Sequence, residues 1–307
     1  MIYTVYLNPT IDKTVYLHEF RYGKTNRPYR SLEDGAGKAI NVAVVLKELG
    51  YEVTCIGLLY STDGDIIQKR LENSGIHYQF LETEGRSRIN MKIFDDSKKV
   101  VTEINEKGSR VEEKKLQMIA NKILAAVKNK DTVFLSGSLP EGCDPSFYAE
   151  LITALKAKGA RCVLDADGEA LLLGIQSKPF FIKPNRDELQ ALYDMENLEV
   201  SEVAVLAQKI VQKGIPFVMV SLGIDGALLV DGSEAYYAKT PEIDVRSTVG
   251  AGDSMLAASA LLLDNLENAL RSGVAAASAS VMQEGTRLMN YEDYKGLLEK
   301  IKVKKIL

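Results

Sequence analysis

The chain has 307 residues, 46% hydrophobic and 26% charged, with no stretch dominated by its 23 Gly or 8 Pro. This composition suits a globular protein with a sizeable core and argues against disorder. A formal net charge of -4, with basic residues dispersed among acidic ones, argues against a nucleic-acid or anionic-membrane partner. Three distant cysteines (Cys55, Cys143, Cys162) and two histidines (His18, His77) suggest neither a disulfide framework nor a zinc site. No apolar run approaches the roughly 18 residues of a membrane span, and Met1 leads directly into a strand-like segment, so a cytoplasmic location is expected.

Taken in chain order, Ile2 to Leu7 is an apolar, β-branched and aromatic run that stops at Asn8-Pro9, a buried strand ending in a turn. Lys13 to Arg30 alternates Tyr, Val and Thr with charged residues. From Lys38, the residues Ala39, Val42, Ala43 and Leu46 recur at helical spacing, and Gly50 follows as a stop signal. Arg88 to Asn105 alternates again. Val133 to Leu135, Cys162 to Leu164, Phe180 to Ile182 and Phe217 to Val220 are short continuous apolar runs separated by helical segments, the pattern of strands buried on both faces. Between the first two, Asp144-Pro145 supplies a cap and a first-turn proline for a helix facing inward with Tyr148, Leu151, Ile152 and Leu155. The basic end, Lys302 to Lys305, reads as a solvated tail. The expected fold is α/β, a doubly wound, mostly parallel sheet flanked by helices. A small antiparallel β lid is expected within 13–30 and 88–105, and no linker divides the chain, so 1–307 is expected to be a single domain.

Chemistry concentrates just beyond the strands. Thr248-Val249-Gly250-Ala251-Gly252-Asp253-Ser254 precedes a helix-compatible run from Met255 to Leu263. A helix beginning after Gly252 aims free N–H groups and a positive dipole end at one spot, which suits a phosphoryl group, with Asp253 beside it to accept a hydroxyl proton. Taken alone, the same residues are equally a glycine turn with Asp253 as a helix cap. Gly35-Ala36-Gly37-Lys38-Ala39-Ile40-Asn41 places Lys38 and Asn41 on one face at a helix start. This block is not a Walker A loop, because Ala39 stands where Ser or Thr is needed and Leu32 replaces the first glycine. Asp12, Ser136 to Pro140 and Lys183 to Glu188 also lie past strand ends, where ligands bind in open α/β sheets.

Seven motifs occur in one order: Asn8-Pro9-x-x-Asp12, the block around Lys38, Gly85-x-Ser87-Arg88-Ile89-Asn90, Ser136 to Pro140, Lys183-Pro184-Asn185-x-x-Glu188, Val220-Ser221-Leu222-Gly223-x-x-Gly226-Ala227 and Val249 to Asp253. Over the whole chain they resemble the ribokinase-like sugar kinases of the phosphofructokinase-B branch, nearest the 1-phosphofructokinases and tagatose-6-phosphate kinases. The resemblance implies an ATP- and Mg²⁺-dependent kinase of a ketohexose monophosphate, fructose 1-phosphate first, with Asp253 as base and Gly250, Ala251 and Gly252 as an anion hole. It implies that Asp12, Gly37, Lys38, Asn41, Arg88 and Ser138, with Arg27 from the lid, hold the sugar phosphate. Lys183, Asn185, Ser221, Gly223 and Gly226 would meet the nucleotide, and Glu188 with Asn185 the metal through water. It also implies a homodimer through the lid. Ala36 and Ala39 replace family glycines, and their methyl groups are expected either to narrow the sugar pocket or to shift the start of the helix. A tagatose-6-phosphate kinase, a kinase of an unphosphorylated sugar or nucleoside, and a catalytically impaired sugar-phosphate-binding regulator remain open at this point.

Overall fold

In the computed structural model, which describes residues 1–306, the first half of the chain runs β1 (Ile2–Tyr6), β2 (Thr10–Leu17), β3 (Arg30–Ala36), α1 (Lys38–Glu48), β4 (Val53–Tyr60), α2 (Gly64–Asn73), β5 (His77–Thr83), β6 (Arg88–Asp95), β7 (Val100–Asn105) and α3 (Glu113–Ala126). It continues through β8 (Thr132–Ser136), α4 (Phe147–Ala157), β9 (Arg161–Asp165), α5 (Gly168–Gln176), β10 (Phe181–Ile182), α6 (Arg186–Tyr193), α7 (Val200–Gln212) and β11 (Phe217–Ser221). The last elements are β12 (Ala227–Val230), β13 (Ala235–Ala238), α8 (Ala251–Ser259), α9 (Leu266–Val281), α10 (Tyr291–Leu298) and β14 (Val303–Lys305). No helix among the described residues is long and apolar enough to cross a membrane.

Ten strands form one sheet in the order β14-β13-β12-β11-β10-β9-β8-β1-β4-β5. From β11 to β5 neighbours run parallel, and β12, β13 and β14 return antiparallel at the other edge. The chain builds outward from β1 to β4 and β5, then comes back to β8 on the other side of β1. This reversal opens a crevice beyond the C-terminal strand ends. The basic end is therefore not a free tail: Val303 to Lys305 pairs with β13, and Lys305 Nζ reaches Glu234 at 2.5 Å.

Strand side chains alternate between two cores, as the two-residue period requires. Val133, Leu135, Val218 and Val220 join the layer of α3, α4 and α7, whereas Phe134 and Met219 join that of α1, α8 and α9. Each fully buried Leu, Ile or Phe contributes roughly 1.5–3 kcal/mol. Tyr148, Leu151, Ile152 and Leu155 are buried as expected, but α4 begins only at Phe147. Asp144 does not cap it; its carboxylate accepts the Ser146 N–H at 2.8 Å in a turn that postpones the helix.

A second, four-stranded sheet in the order β3-β2-β6-β7 stands over the crevice. Its outer pairs are antiparallel, while β2 and β6 in the centre run parallel. The lid strands of the N-terminal stretch lie at 10–17 and 30–36, beginning before and ending beyond the 13–30 that the alternation indicates. The sequence Arg-Ser-Leu-Glu-Asp-Gly-Ala has little strand character of its own and is held by its pairing with β2. Both roots of this sheet meet at Tyr6, whose buried hydroxyl donates to Ala36 O at 2.7 Å and accepts from Thr10 N at 2.7 Å.

Gly57 on β4 lies opposite Tyr6 on β1, and a Cβ there would fall 1.8 Å from the Tyr6 carbonyl oxygen. Gly57→Ala is expected to lower stability by roughly 1–3 kcal/mol through overpacking, read as an earlier urea midpoint. An unchanged midpoint would mean that β1 and β4 part here without cost.

Candidate active site

Beyond the C-terminal ends of β1, β9, β10 and β11 lies a cavity of about 540 Å³. Its floor is made by the N-termini of α1 and α8, which pack against each other, and its roof by the lid. Lys38, Asn41, Gly37, Asp12, Arg88 and Asp253 line it, together with Gly250, Gly252, Lys183, Asn185, Glu188 and Ser221. Motifs spread over most of the chain thus converge on one volume.

Helix α8 begins at Ala251, earlier than the sequence suggests, because Gly250 takes the N-cap position with φ +72°, a left-handed conformation that glycine adopts without strain. Asp253 is consequently inside the first turn, and it makes no capping hydrogen bond. Its side chain turns instead towards α1, where Asn41 Nδ2 donates to Oδ2 at 2.8 Å. The free amides of Ala251 and Gly252 stay available at the helix end. Burial, and next the negative charge of Asp165, push the Asp253 carboxyl up to about 6, although Lys38, Asn41 and Lys183 pull the other way.

Asp165, the last residue of β9, is 1% exposed. Lys38 Nζ donates to its Oδ1 at 3.0 Å and Lys183 Nζ lies 3.5 Å from its Oδ2. Burial raises this carboxyl, but the two ammonium groups outweigh burial and hold it below the ordinary aspartate value. Lys38 is desolvated in its turn, yet the carboxylates of Asp165, Asp253 and Glu188 keep its pKa above that of a free lysine. Lys38 therefore points into the carboxylate cluster at the helix ends, not along the lid.

Asn185 and Glu188 form a capping box on α6: Glu188 N donates to Asn185 Oδ1 and Asn185 N to Glu188 Oε2, both at 2.8 Å. Burial raises the Glu188 carboxyl, offset in part by the Asn185 amide and Lys38. No group of three or more His, Cys, Asp or Glu is placed to hold a metal ion among the described residues. A cation is then left with one or two carboxylates, plus phosphate oxygens and water, which is the usual coordination of Mg²⁺. Glu188 and Asp165 Oδ2, a buried oxygen without a hydrogen bond, fit that donor set.

On the lid side, Asp12 is buried in an ion pair with Lys92, and Arg88 Nε donates to Thr10 Oγ1 at 2.8 Å. Ser138 does not line the cavity; it lies beside Asn8, whose Nδ2 donates to its hydroxyl at 3.2 Å. Gly223 and Gly226 belong to the single turn after Ser221 and do not themselves line the cavity. Arg27, expected to reach in from the lid, is exposed on the loop between β2 and β3 and does not line the cavity. Ala36 and Ala39 do not line it either; they are 2% and 0% exposed, so their methyl groups fill the interior and leave the pocket its width. Sequence reasoning missed Asp165, Lys92 and Glu103, and gave no separate role to Asn90 and Thr248, which stand inside its motifs. Asp165 had a usable signal, a carboxylate ending an apolar strand just as Asn8 follows β1.

A reaction that uses Asp253 as proton acceptor needs its anion, so rate should fall as pH drops through about 6. Lys38→Met removes a charge that favours the anion and should move the acidic limb of the kcat/KM profile to higher pH. A limb that stays in place would show that another group sets it.

The carbohydrate-kinase family model described as pfkB matches residues 6–293. The 1-phosphofructokinase of Bacillus subtilis is 33% identical over 309 residues, covering 100% of both chains. The tagatose-6-phosphate kinase of Staphylococcus epidermidis is 31% identical over 310 residues, covering 99% of each. Phosphofructokinase-2 from Escherichia coli, solved with substrates and products, superposes with a TM-score of 0.93 at 30% identity, covering 97% of this chain and 98% of that one. A ten-stranded sheet, a β lid and a buried aspartate at a glycine-started helix are thus found in a chain similar to sugar kinases along nearly its whole length, and the chain belongs to the pfkB family of carbohydrate kinases.

Proposed function

We propose that the chain is an ATP-dependent kinase of a ketohexose monophosphate, converting fructose 1-phosphate to fructose 1,6-bisphosphate. The observation that carries this reading is the buried Asp253 carboxylate, hydrogen-bonded to Asn41 beside the free amides of α8 and facing a lid wall of Asp12, Arg88 and Lys92. A kinase of an unphosphorylated sugar has no use for Arg88, a cation on that wall without an ion pair among the described residues. Curated relatives named 1-phosphofructokinase support fructose 1-phosphate, and the relative named tagatose-6-phosphate kinase supports tagatose 6-phosphate as the second reading.

In this reading Asp12 accepts hydrogen bonds from ring hydroxyls, and Arg88 and Ser138 hold the sugar phosphate. Asp253, ionised at neutral pH, takes the proton of the primary hydroxyl as it attacks the γ-phosphate in line. The amides of Gly250, Ala251 and Gly252 meet the charge of the moving phosphoryl group. Lys183 and Asn185 flank the nucleotide phosphates, and Ser221, Gly223 and Gly226 border its ribose and base. When bound through Glu188 and water, Mg²⁺ supplies charge neutralisation of those phosphates. The lid keeps water out.

ADP release with Mg-ATP should show preference for one phosphorylated ketohexose among fructose 1-phosphate, fructose 6-phosphate, tagatose 6-phosphate, fructose and ribose. Asp253→Asn should lower kcat by at least about a hundredfold. Near-normal turnover by that variant would end the base assignment.

The same reading includes a homodimer through the lid. Its support is β7, an edge strand with Val100, Val101 and Ile104 48%, 46% and 56% exposed. Such an edge is normally covered. Wild type should sediment as a dimer and Ile104→Lys as a monomer; a monomeric wild type would refute the assembly.

A further inference from the structure

The lid wall holds a lysine to which the reading above gives no task. Arg88, Asn90 and Lys92 are alternate residues of β6, so they share one face, and all three line the cavity with Asp12. Lys92 is 5% exposed, and of the three donors of its ammonium one is used, on Asp12. Asp12 is the one carboxylate within ion-pair distance of it among the described residues. Lys92 also lines a neighbouring cavity of about 790 Å³ that Asp253 does not touch.

The charges on this wall do not balance a sugar phosphate as they stand. Lys92 and Asp12 cancel each other, the Glu103 carboxylate opposite Lys92 on β7 adds a negative charge, and Arg88, which makes no ion pair among the described residues, is left as the one unpaired cation of the wall. A phosphate monoester carries about -1.5 to -2 at neutral pH. Sugar hydroxyls, being neutral donors, satisfy the Asp12 oxygens and remove the need for an ammonium there. Lys92 is then a second cation, already desolvated, with two donors unspent.

Resting on the kinase reading, we propose that Lys92 is a specificity-determining ligand for the phosphate that the ketohexose already carries. It exchanges Asp12 for that phosphate when the sugar binds. With Arg88 it makes a two-cation clamp at the end of the sugar remote from Asp253, so the enzyme reads the phosphate as well as the hydroxyls.

The test compares kcat/KM for fructose 1-phosphate and for fructose with Mg-ATP in wild type, Lys92→Met and Lys92→Arg. The ratio of the two should fall about thirtyfold or more in Lys92→Met, the scale of a lost charge-assisted hydrogen bond, and recover most of that loss in Lys92→Arg. Equal losses for both sugars would overturn the proposal and leave Lys92 as a support for Asp12. If wild type turns over neither sugar, the fructose 1-phosphate reading fails separately, and thermal protection by fructose 1-phosphate decides about Lys92. Protection that is present in wild type and absent in Lys92→Met upholds the phosphate contact; protection of equal size in both, or in neither, removes it.

Discussion

Asp165 has almost no solvent, and among the described residues only Lys38 and Lys183 answer its charge. A buried carboxylate stripped of a cation costs roughly 3–5 kcal/mol, so the two lysines are bound to this position by stability before any substrate arrives. They come from α1 and from the end of β10, and Asp165 itself ends β9. One anion therefore fixes how the first helix sits relative to the centre of the sheet. The N-terminus of α8 packs on α1 and inherits that placement.

The electrostatic consequence falls on Asp253. Two aspartates share one pocket and the same pair of lysines, and their carboxyls are driven in opposite directions, Asp165 down and Asp253 up to about 6. Divergent environments for neighbouring carboxyls are the usual sign of divided roles. Asp165 serves as a permanent charge, while Asp253 holds its proton loosely enough to gain and lose it near neutrality. Lys38 is the element common to both, and its contact with Asp165 accounts for its turning away from the lid.

The parallel sheet was legible because strands buried on both faces read as continuous apolar runs, and the strand-end motifs were legible because each follows such a run. The lid was only partly so. β3, with Glu33, Asp34 and Gly35 at its centre, exists through its ladder with β2, and no local pattern announces it. Lys92 was hidden for a related reason: among alternating charges, sequence does not say which face meets solvent and which meets a ligand, and Asp12 lies 80 residues away. Arg27 failed in the opposite sense, since nothing local dictates the direction of its loop. The direction of the Ala36 and Ala39 methyl groups, into the interior, was not legible either, because adjacency to Lys38 in sequence does not say which pocket a side chain enters.

The hydroxyl of Tyr6 gathers both roots of the lid, and Ala36, which it binds, is separated from Lys38 by a single residue. Lid and helix are consequently joined like the arms of a lever across one phenol fulcrum. A tilt of the roof would pass through Ala36 to the turn that carries Lys38 and, one helical turn on, to Asn41, the partner of Asp253. Under the proposed function, covering the sugar and aiming the base would then be one movement, needing no separate signal to couple them.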